Sequence, residues 1–337
     1  PAMGALFSLL PAPEAGPLKR QSSLCATSSS SLVIKYADLA AQLPSKGFEE
    51  AAIAAARGSF ADKTPRLYAD PPWSLPRNAV RVLALTIGDA QLTDTRTGKL
   101  AELALAAARD LKQALPPGTE TWLPERKGLH ATIFHPGLAP GTVGTPGMVA
   151  PSEAQLDKEL HTARRLAANV PTNLTLVVDR VVATTSGVML LLLRPEQDGG
   201  RVCVESIRSA AHALFPDAAR KQAQGVVHVS LLRILSLPAG QFGPAGGAAK
   251  RAAEVCRSWS DKLRGMRVSA RGLLYVREEQ IMTLLGRKTR LPFAGRRRRR
   301  LAPVERKLFR WIWGDRSESV LSLMDKVGRA GSAAAGK

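Results

Sequence analysis

Two short β-prone runs carry the side chains best suited to chemistry: Gly128–Phe134, with His130 and Thr132, and Val226–Leu232, with His228 and Ser230. Each reads His-x-(Thr/Ser). Residues two apart on a strand point to the same face, so each run offers an imidazole beside a hydroxyl. If the strands meet, four groups converge on one site. Imidazoles titrate near neutrality, so one can take a proton while the other gives one, and the hydroxyls can donate to oxygen that gains charge. A single such tripeptide carries little information. Two of them, each inside a strand that follows a helix, carry more. The other histidines fit packing or surface roles: His161 is mid-helix, His212 is in a helix, and His135 is out of phase with His130 on a regular strand.

The elements around these runs alternate. Residues 79–87 read as a strand, and Lys99–Leu115 as a helix with Leu100, Leu103, Ala107 and Leu111 at helical spacing. After the first His run comes a Gly/Pro-rich loop. Ser152-x-x-Gln155 then signals a capping box opening a helix to about Ala168. Asn173–Val182 and Gly187–Leu193 read as a hairpin. An amphipathic helix over Arg201–Phe215 leads to the second His run, a helix over Ala248–Leu263 follows, and strands are expected at Met266–Val276 and Ile281–Leu285. Such alternation predicts α+β or α/β layering.

Three segments follow: an N-terminal extension (1–78), a central domain (79–290) and a basic, aromatic tail (291–337). The extension is Pro/Ala/Ser-rich to residue 30, reads as short helices at Ala37–Leu43 and Phe48–Arg57, and ends in a Pro-rich strap over Thr64–Arg77 with Tyr68 and Trp73. Its basic, Ser-rich, acid-free stretch Lys19–Ser31 resembles either a retained organellar presequence or a disordered arm. The 337-residue chain has a formal charge of +20 and 45% hydrophobic residues, the balance of a globular protein with a polyanionic partner. The tail holds 12 Lys/Arg against 4 Asp/Glu. Arg296, Arg297, Arg298, Arg299 and Arg300, with Arg310, Trp311 and Trp313, form its candidate nucleic-acid-binding set, and contact with a membrane surface fits nearly as well. The longest apolar run, Val188–Leu193, is far too short to span a bilayer. Cys25, Cys203 and Cys256 form no close pair, so the expectation is free thiols, a reducing compartment and no zinc or redox dithiol.

The strand Val80–Ile87, its helix, Gly128–Phe134 and Val226–Leu235 together resemble the two-histidine phosphoesterase superfamily, in particular its RNA 2′,3′-cyclic phosphodiesterase/ligase-like branch. The likeness covers about residues 79–290. It implies a bilobed, pseudo-symmetric α+β fold with two antiparallel sheets forming a V-shaped cleft, helices outside, and one motif from each lobe. Carried over by motif, the catalytic set is His130, Thr132, His228 and Ser230, with no metal and no cofactor. In opening a 2′,3′-cyclic phosphate His228 would be the base and His130 the acid, while the hydroxyls hold nonbridging oxygens. Arg233 stands where many relatives carry an aromatic residue; on a regular strand it shares a face with Val229, away from His228. Trp122, Arg126 and Lys127, just before the first motif, read more readily as a packed Trp and solvated charges than as substrate contacts.

Two functions follow as expectations. One is an enzyme on RNA ends or 2′,3′-cyclic nucleotides. The other is a noncatalytic RNA-binding or structural subunit of a large ribonucleoprotein such as an organellar ribosome, held by its terminal extensions. For either, the expected location is an organelle, the mitochondrion favoured over the chloroplast, with the cytoplasm or nucleus as the alternative.

Overall fold

The computed structural model describes residues 21–71, 73–137, 150–170, 174–196, 203–216, 218 and 226–294, the side chains of 21–30 excepted. The expected nucleic-acid-binding residues Arg296–Arg300, Arg310, Trp311 and Trp313 lie outside them.

In chain order the elements are α1 (Gln21–Lys46), α2 (Glu50–Arg57), β1 (Phe60–Ala61), β2 (Thr64–Pro65), β3 (Val80–Thr86), α3 (Thr95–Ala114), β4 (Glu120–Trp122), β5 (His130–Phe134), α4 (Glu153–Ala168), β6 (Leu174–Ala183), β7 (Val188–Pro195), α5 (Val204–Leu214), β8 (Val227–Ser236), α6 (Gly247–Leu263), β9 (Arg267–Ala270), β10 (Gly272–Gln280) and β11 (Leu285–Pro292). Apart from the small β1-β2 ribbon, the strands form a four-stranded sheet, β11-β10-β3-β5, and a five-stranded sheet, β4-β8-β7-β6-β9. Every pairing among the described residues is antiparallel. This is the expected α+β class. The two His runs are β5 and β8, one in each sheet, and they lie beside one another.

Both sheets pack one face on helices. Leu83, Leu85, Ala131 and Tyr275 of the first sheet and Leu176, Leu191, Val229 and Leu231 of the second join Leu100, Ala104 and Leu111 of α3 and Ala252, Cys256 and Leu263 of α6 in a single core. The strand alternation explains it, since each of these residues is one step out of phase with the motif side chains. The Ser152 capping box forms as expected: the Ser152 hydroxyl accepts from the Gln155 N–H at 3.2 Å, and the Gln155 side chain accepts from the Ser152 N–H at 2.7 Å.

Three expectations on local structure are corrected. The first helix is one long element reaching Lys46, with Pro44 inside its last turn, rather than a short piece. Fully buried Leu32 and Tyr36 anchor it, and such packing outweighs the weak helix propensity of its Ser run. Of the strand expected at Ile281–Leu285, residues 281–284 form a turn, with Met282 and Leu284 at positive φ (64° and 55°); the last strand runs from Leu285 to Pro292. Buried Ile281 and Leu284 hold this turn against the first sheet. The third concerns cysteine. Cys203 is disulfide-bonded, while Cys256 is a buried free thiol. Pairing depends on which residues the fold brings together, and sequence spacing does not report that.

The strap buries Tyr68 and Leu75 against Val80, Val82, Ala84, Leu274 and Val276, on the face opposite the helices. Beneath it Glu278, 3% exposed, accepts from the Tyr68 hydroxyl and from the Leu284 N–H, each at 3.0 Å. Burial, outweighing these hydrogen bonds and the pull of Lys288, pushes the Glu278 carboxyl up to about 7. The folded value lies above the unfolded one. The native state therefore binds the extra proton between about pH 4.5 and 7, and stability falls as pH rises through that window. Glu278→Gln, isosteric and uncharged, is expected to flatten the decline in Tm between about pH 5 and about pH 8 and to raise Tm at the alkaline end. Thermal melts across that range decide it, and an unchanged decline in the variant would refute the assignment.

Candidate functional site

The site is built from two strands with the same irregularity. In β5, Thr132 pairs with Ala84 of β3 but Phe134 with Leu83, which leaves Ile133 as an extra residue. In β8, Ser230 pairs with Leu190 of β7 but Leu232 with Met189, which leaves Leu231 extra. A one-residue β-bulge thus follows the hydroxyl of each motif. It lets both residues after the hydroxyl, Ile133 and Phe134 in one strand and Leu231 and Leu232 in the other, enter the core.

The second bulge changes which side chains share the motif face. Directly paired residues lie on one face, and along β7 the residues Leu192, Leu190 and Val188 oppose His228, Ser230 and Arg233 respectively. Arg233 therefore belongs to the His228 face. The expectation that it points away is corrected, because it assumed a regular strand. Trp122 of β4 pairs with Arg233 and extends this row to the sheet edge, where its ring meets Phe60 at a centroid distance of 5.7 Å. On the first sheet the corresponding row is His130 opposite Thr86 and Thr132 opposite Ala84.

His130 is half-buried, and its Nδ1 lies 2.7 Å from the Gly128 carbonyl oxygen. A carbonyl only accepts, so Nδ1 carries the hydrogen, and Nε2 of the neutral ring presents its lone pair. Desolvation holds the ring below its ordinary value, assisted by Lys288, while the Gly128 bond acts in the opposite direction. His228 is exposed on its strand, with no comparable hydrogen bond to raise its value. Desolvation by the surrounding sheets is the largest cause lowering it to about 4, followed by the charges of Arg208, His130 and Arg233. Each group in that set therefore lies within electrostatic reach of the His228 ring. The site brings together two imidazoles with unequal proton affinity, two half-buried hydroxyls and one guanidinium. Burial also lowers Arg233, to about 10, still cationic at neutral pH.

The walls of the site come from the N-terminal part of the chain. Leu32 and Tyr36 of α1 pack on Val182, Val188, Leu190 and Leu192, the motif face of the second sheet. The strap packs on Val82 and Ala84, the motif face of the first. His130, Thr132, His228 and Ser230 lie between these covers, on the strands where the sheets adjoin.

The remaining candidates have structural partners. His135 Nδ1 lies 3.2 Å from the Arg81 carbonyl, His212 meets Phe134 edge-on at 4.9 Å, and His161 is exposed on α4. Lys127 pairs with Glu125 at 2.9 Å and Arg126 with Glu102 at 3.7 Å, both on the surface. Two residues that sequence reasoning left out or placed elsewhere are therefore Arg208 and Arg233.

The fold has two antiparallel sheets with one motif strand in each and helices packed behind. No family model matches the sequence, and no curated protein does either. Among solved structures, the chain is similar to ATU0111, a conserved protein of unknown function from Agrobacterium tumefaciens, at 12% identity and a TM-score of 0.40, covering 64% of this chain and 84% of that one. It is similar to Usb1 from Kluyveromyces marxianus at 11% identity and a TM-score of 0.38, covering 64% and 99%. A third is TT0787 of Thermus thermophilus, at 17% identity and a TM-score of 0.34, covering 64% and 98%. No helix among the described residues is long and apolar enough to cross a membrane.

Proposed function

We propose that this protein is a phosphodiesterase that opens 2′,3′-cyclic phosphates at RNA ends or in nucleotides, with His130, Thr132, His228 and Ser230 as its catalytic residues. The observation that carries the reading is the convergence of both His-x-(Thr/Ser) strands, each with a bulge after its hydroxyl, on one seam between two sheets. His228, held neutral, takes a proton from water as the water oxygen attacks phosphorus. His130, with its Nδ1–H fixed on Gly128, acts in its imidazolium form, with a second proton on Nε2, and delivers that proton to the leaving ribose oxygen as the P–O bond breaks. Thr132 and Ser230 donate to the nonbridging oxygens, and the Arg233 charge offsets the negative charge that builds there. The formal charge of +20 suits a polyanionic substrate.

The test is hydrolysis of a 2′,3′-cyclic nucleotide and of a short RNA bearing that terminus, in EDTA. Turnover is expected in both cases. Because the base titrates near 4 and the acid below 6.5, kcat/KM is expected to follow a bell with its maximum between those values. A maximum well above neutrality would overturn the assignment of base and acid.

One observation favours the second reading, a noncatalytic subunit of a ribonucleoprotein. The N-terminal segment occupies the apolar part of both motif faces, as an assembly protein's extension can. Absence of turnover together with retained, salt-sensitive RNA binding would select it.

A further inference from the structure

Arg208 is 5% exposed on the buried side of α5, between Ile207 and Ala211 of the core. Its Nε donates to the Ile133 carbonyl at 3.1 Å. Its Nη2 donates to the Thr132 carbonyl at 3.2 Å and to the Val226 carbonyl at 3.1 Å, and its Nη1 donates to Glu205 Oε1 at 2.8 Å. The first two carbonyls flank the bulge of the first motif strand. The third lies two residues before His228. One guanidinium therefore holds the hydroxyl-bearing segment of one lobe to the entry of the motif strand of the other.

We propose that Arg208 is the positioning residue of the site, fixing the separation of the two motif strands by bonding to the backbone of both. The proposal rests on the phosphodiesterase reading for its catalytic consequence, though not for its geometry. A bulge leaves backbone groups outside the strand ladder, and a buried carbonyl without a donor is costly, so the bulge after Thr132 requires a donor from elsewhere. Arg208 supplies it. Only a planar fork reaches three carbonyls at once, and a lysine ammonium on its flexible stem does not. The side chain of Glu205 balances the buried charge, which spares the site an unpaired cation.

The same position gives Arg208 an electrostatic role. The charged or titratable groups that act on His228 are Arg208 from α5, His130 from β5 and Arg233 from its own strand, and Arg208 acts most strongly of the three. Removing the cation should therefore make His228 easier to protonate, whereas exchanging it for lysine should not.

The experiment uses the full chain with Arg208→Lys and Arg208→Met, the histidine rings followed by NMR titration and hydrolysis of a 2′,3′-cyclic nucleotide followed in parallel. Arg208→Lys is expected to lower kcat on the order of 100-fold with KM within about threefold, the signature of misplaced groups rather than lost binding. Its His228 titration should stay at the wild-type value. In Arg208→Met the same loss of kcat is expected together with a rise of the His228 midpoint toward 6.5. In both variants amide exchange at residues 132–134 and 226–228 should accelerate while the rest of the second sheet stays protected. Wild-type kcat in Arg208→Lys overturns the proposal, as does unchanged exchange at those residues. If Arg208→Met does not fold, Arg208→Lys still decides through exchange and kcat. A wild-type protein without turnover removes the phosphodiesterase reading alone, and exchange and titration still decide the clamp.

Discussion

Alanine in place of either motif histidine is expected to reduce hydrolysis of a 2′,3′-cyclic phosphate by about 10²- to 10⁴-fold, the range of a positioned general acid or base. The two substitutions should differ in what they leave behind. In His228→Ala the acid limb of the kcat/KM profile, near pH 4 in the wild type, should vanish, because the group that must be deprotonated is gone. In His130→Ala the alkaline limb should vanish instead. The double variant should be little slower than the slower single one, since an acid and a base acting in one step are not additive. Stability separates chemistry from folding. His228 is exposed, so its replacement should leave Tm close to the wild-type value. His130 is half-buried, and its loss also removes the bond to Gly128, worth about 1 kcal/mol. Hydrolysis that survives in both single variants would sink the proposed mechanism.

The parts of this site that can be read from the sequence are those set by strand alternation. His130 with Thr132 and His228 with Ser230 sit two apart inside apolar runs, and the period of a strand puts each pair on one face whatever the rest of the fold does. The helix after Ser152 is equally legible, because its capping box is local chemistry. The misreadings have one physical source: they depend on partners far away in the chain. Arg233 lies five residues after His228 and would fall on the opposite face of a regular strand, but the bulge at Leu231 reverses the phase. Nothing in Leu231-Leu232 announces a bulge, since both side chains suit a core equally well. Arg208 left a trace. It follows Val204 by one helical turn, so a charged residue sits inside the apolar stripe that Val204, Ile207 and Ala211 define. Such a residue needs a buried partner, and the sequence cannot show that the partner is the backbone of the two motif strands.

The N-terminal covers make a further demand, and Tyr36 tests it. Tyr36 is 1% exposed against Leu190 and Leu192, the β7 residues beside Ser230 and His228. Its hydroxyl donates to the Leu193 carbonyl at 2.7 Å and accepts from the Val227 N–H at 3.1 Å. One phenol thus closes the β7-β8 ladder where the second motif strand begins. Burial pushes its pKa up to about 12, so it stays a donor throughout the accessible pH range. Tyr36→Ala should destabilise the protein by about 3–5 kcal/mol, the cost of removing a large aromatic side chain from a packed core. Tyr36→Phe keeps the ring but leaves a buried carbonyl and a buried N–H unsatisfied, at about 1–3 kcal/mol. Denaturant unfolding with both variants measures these values. Because Val227 adjoins His228, Tyr36→Phe should also lower kcat more than KM while the protein stays folded. An arm merely resting on a finished domain would respond differently: Tyr36→Ala would leave the unfolding midpoint unchanged, and the α1 cover would then be no part of the site.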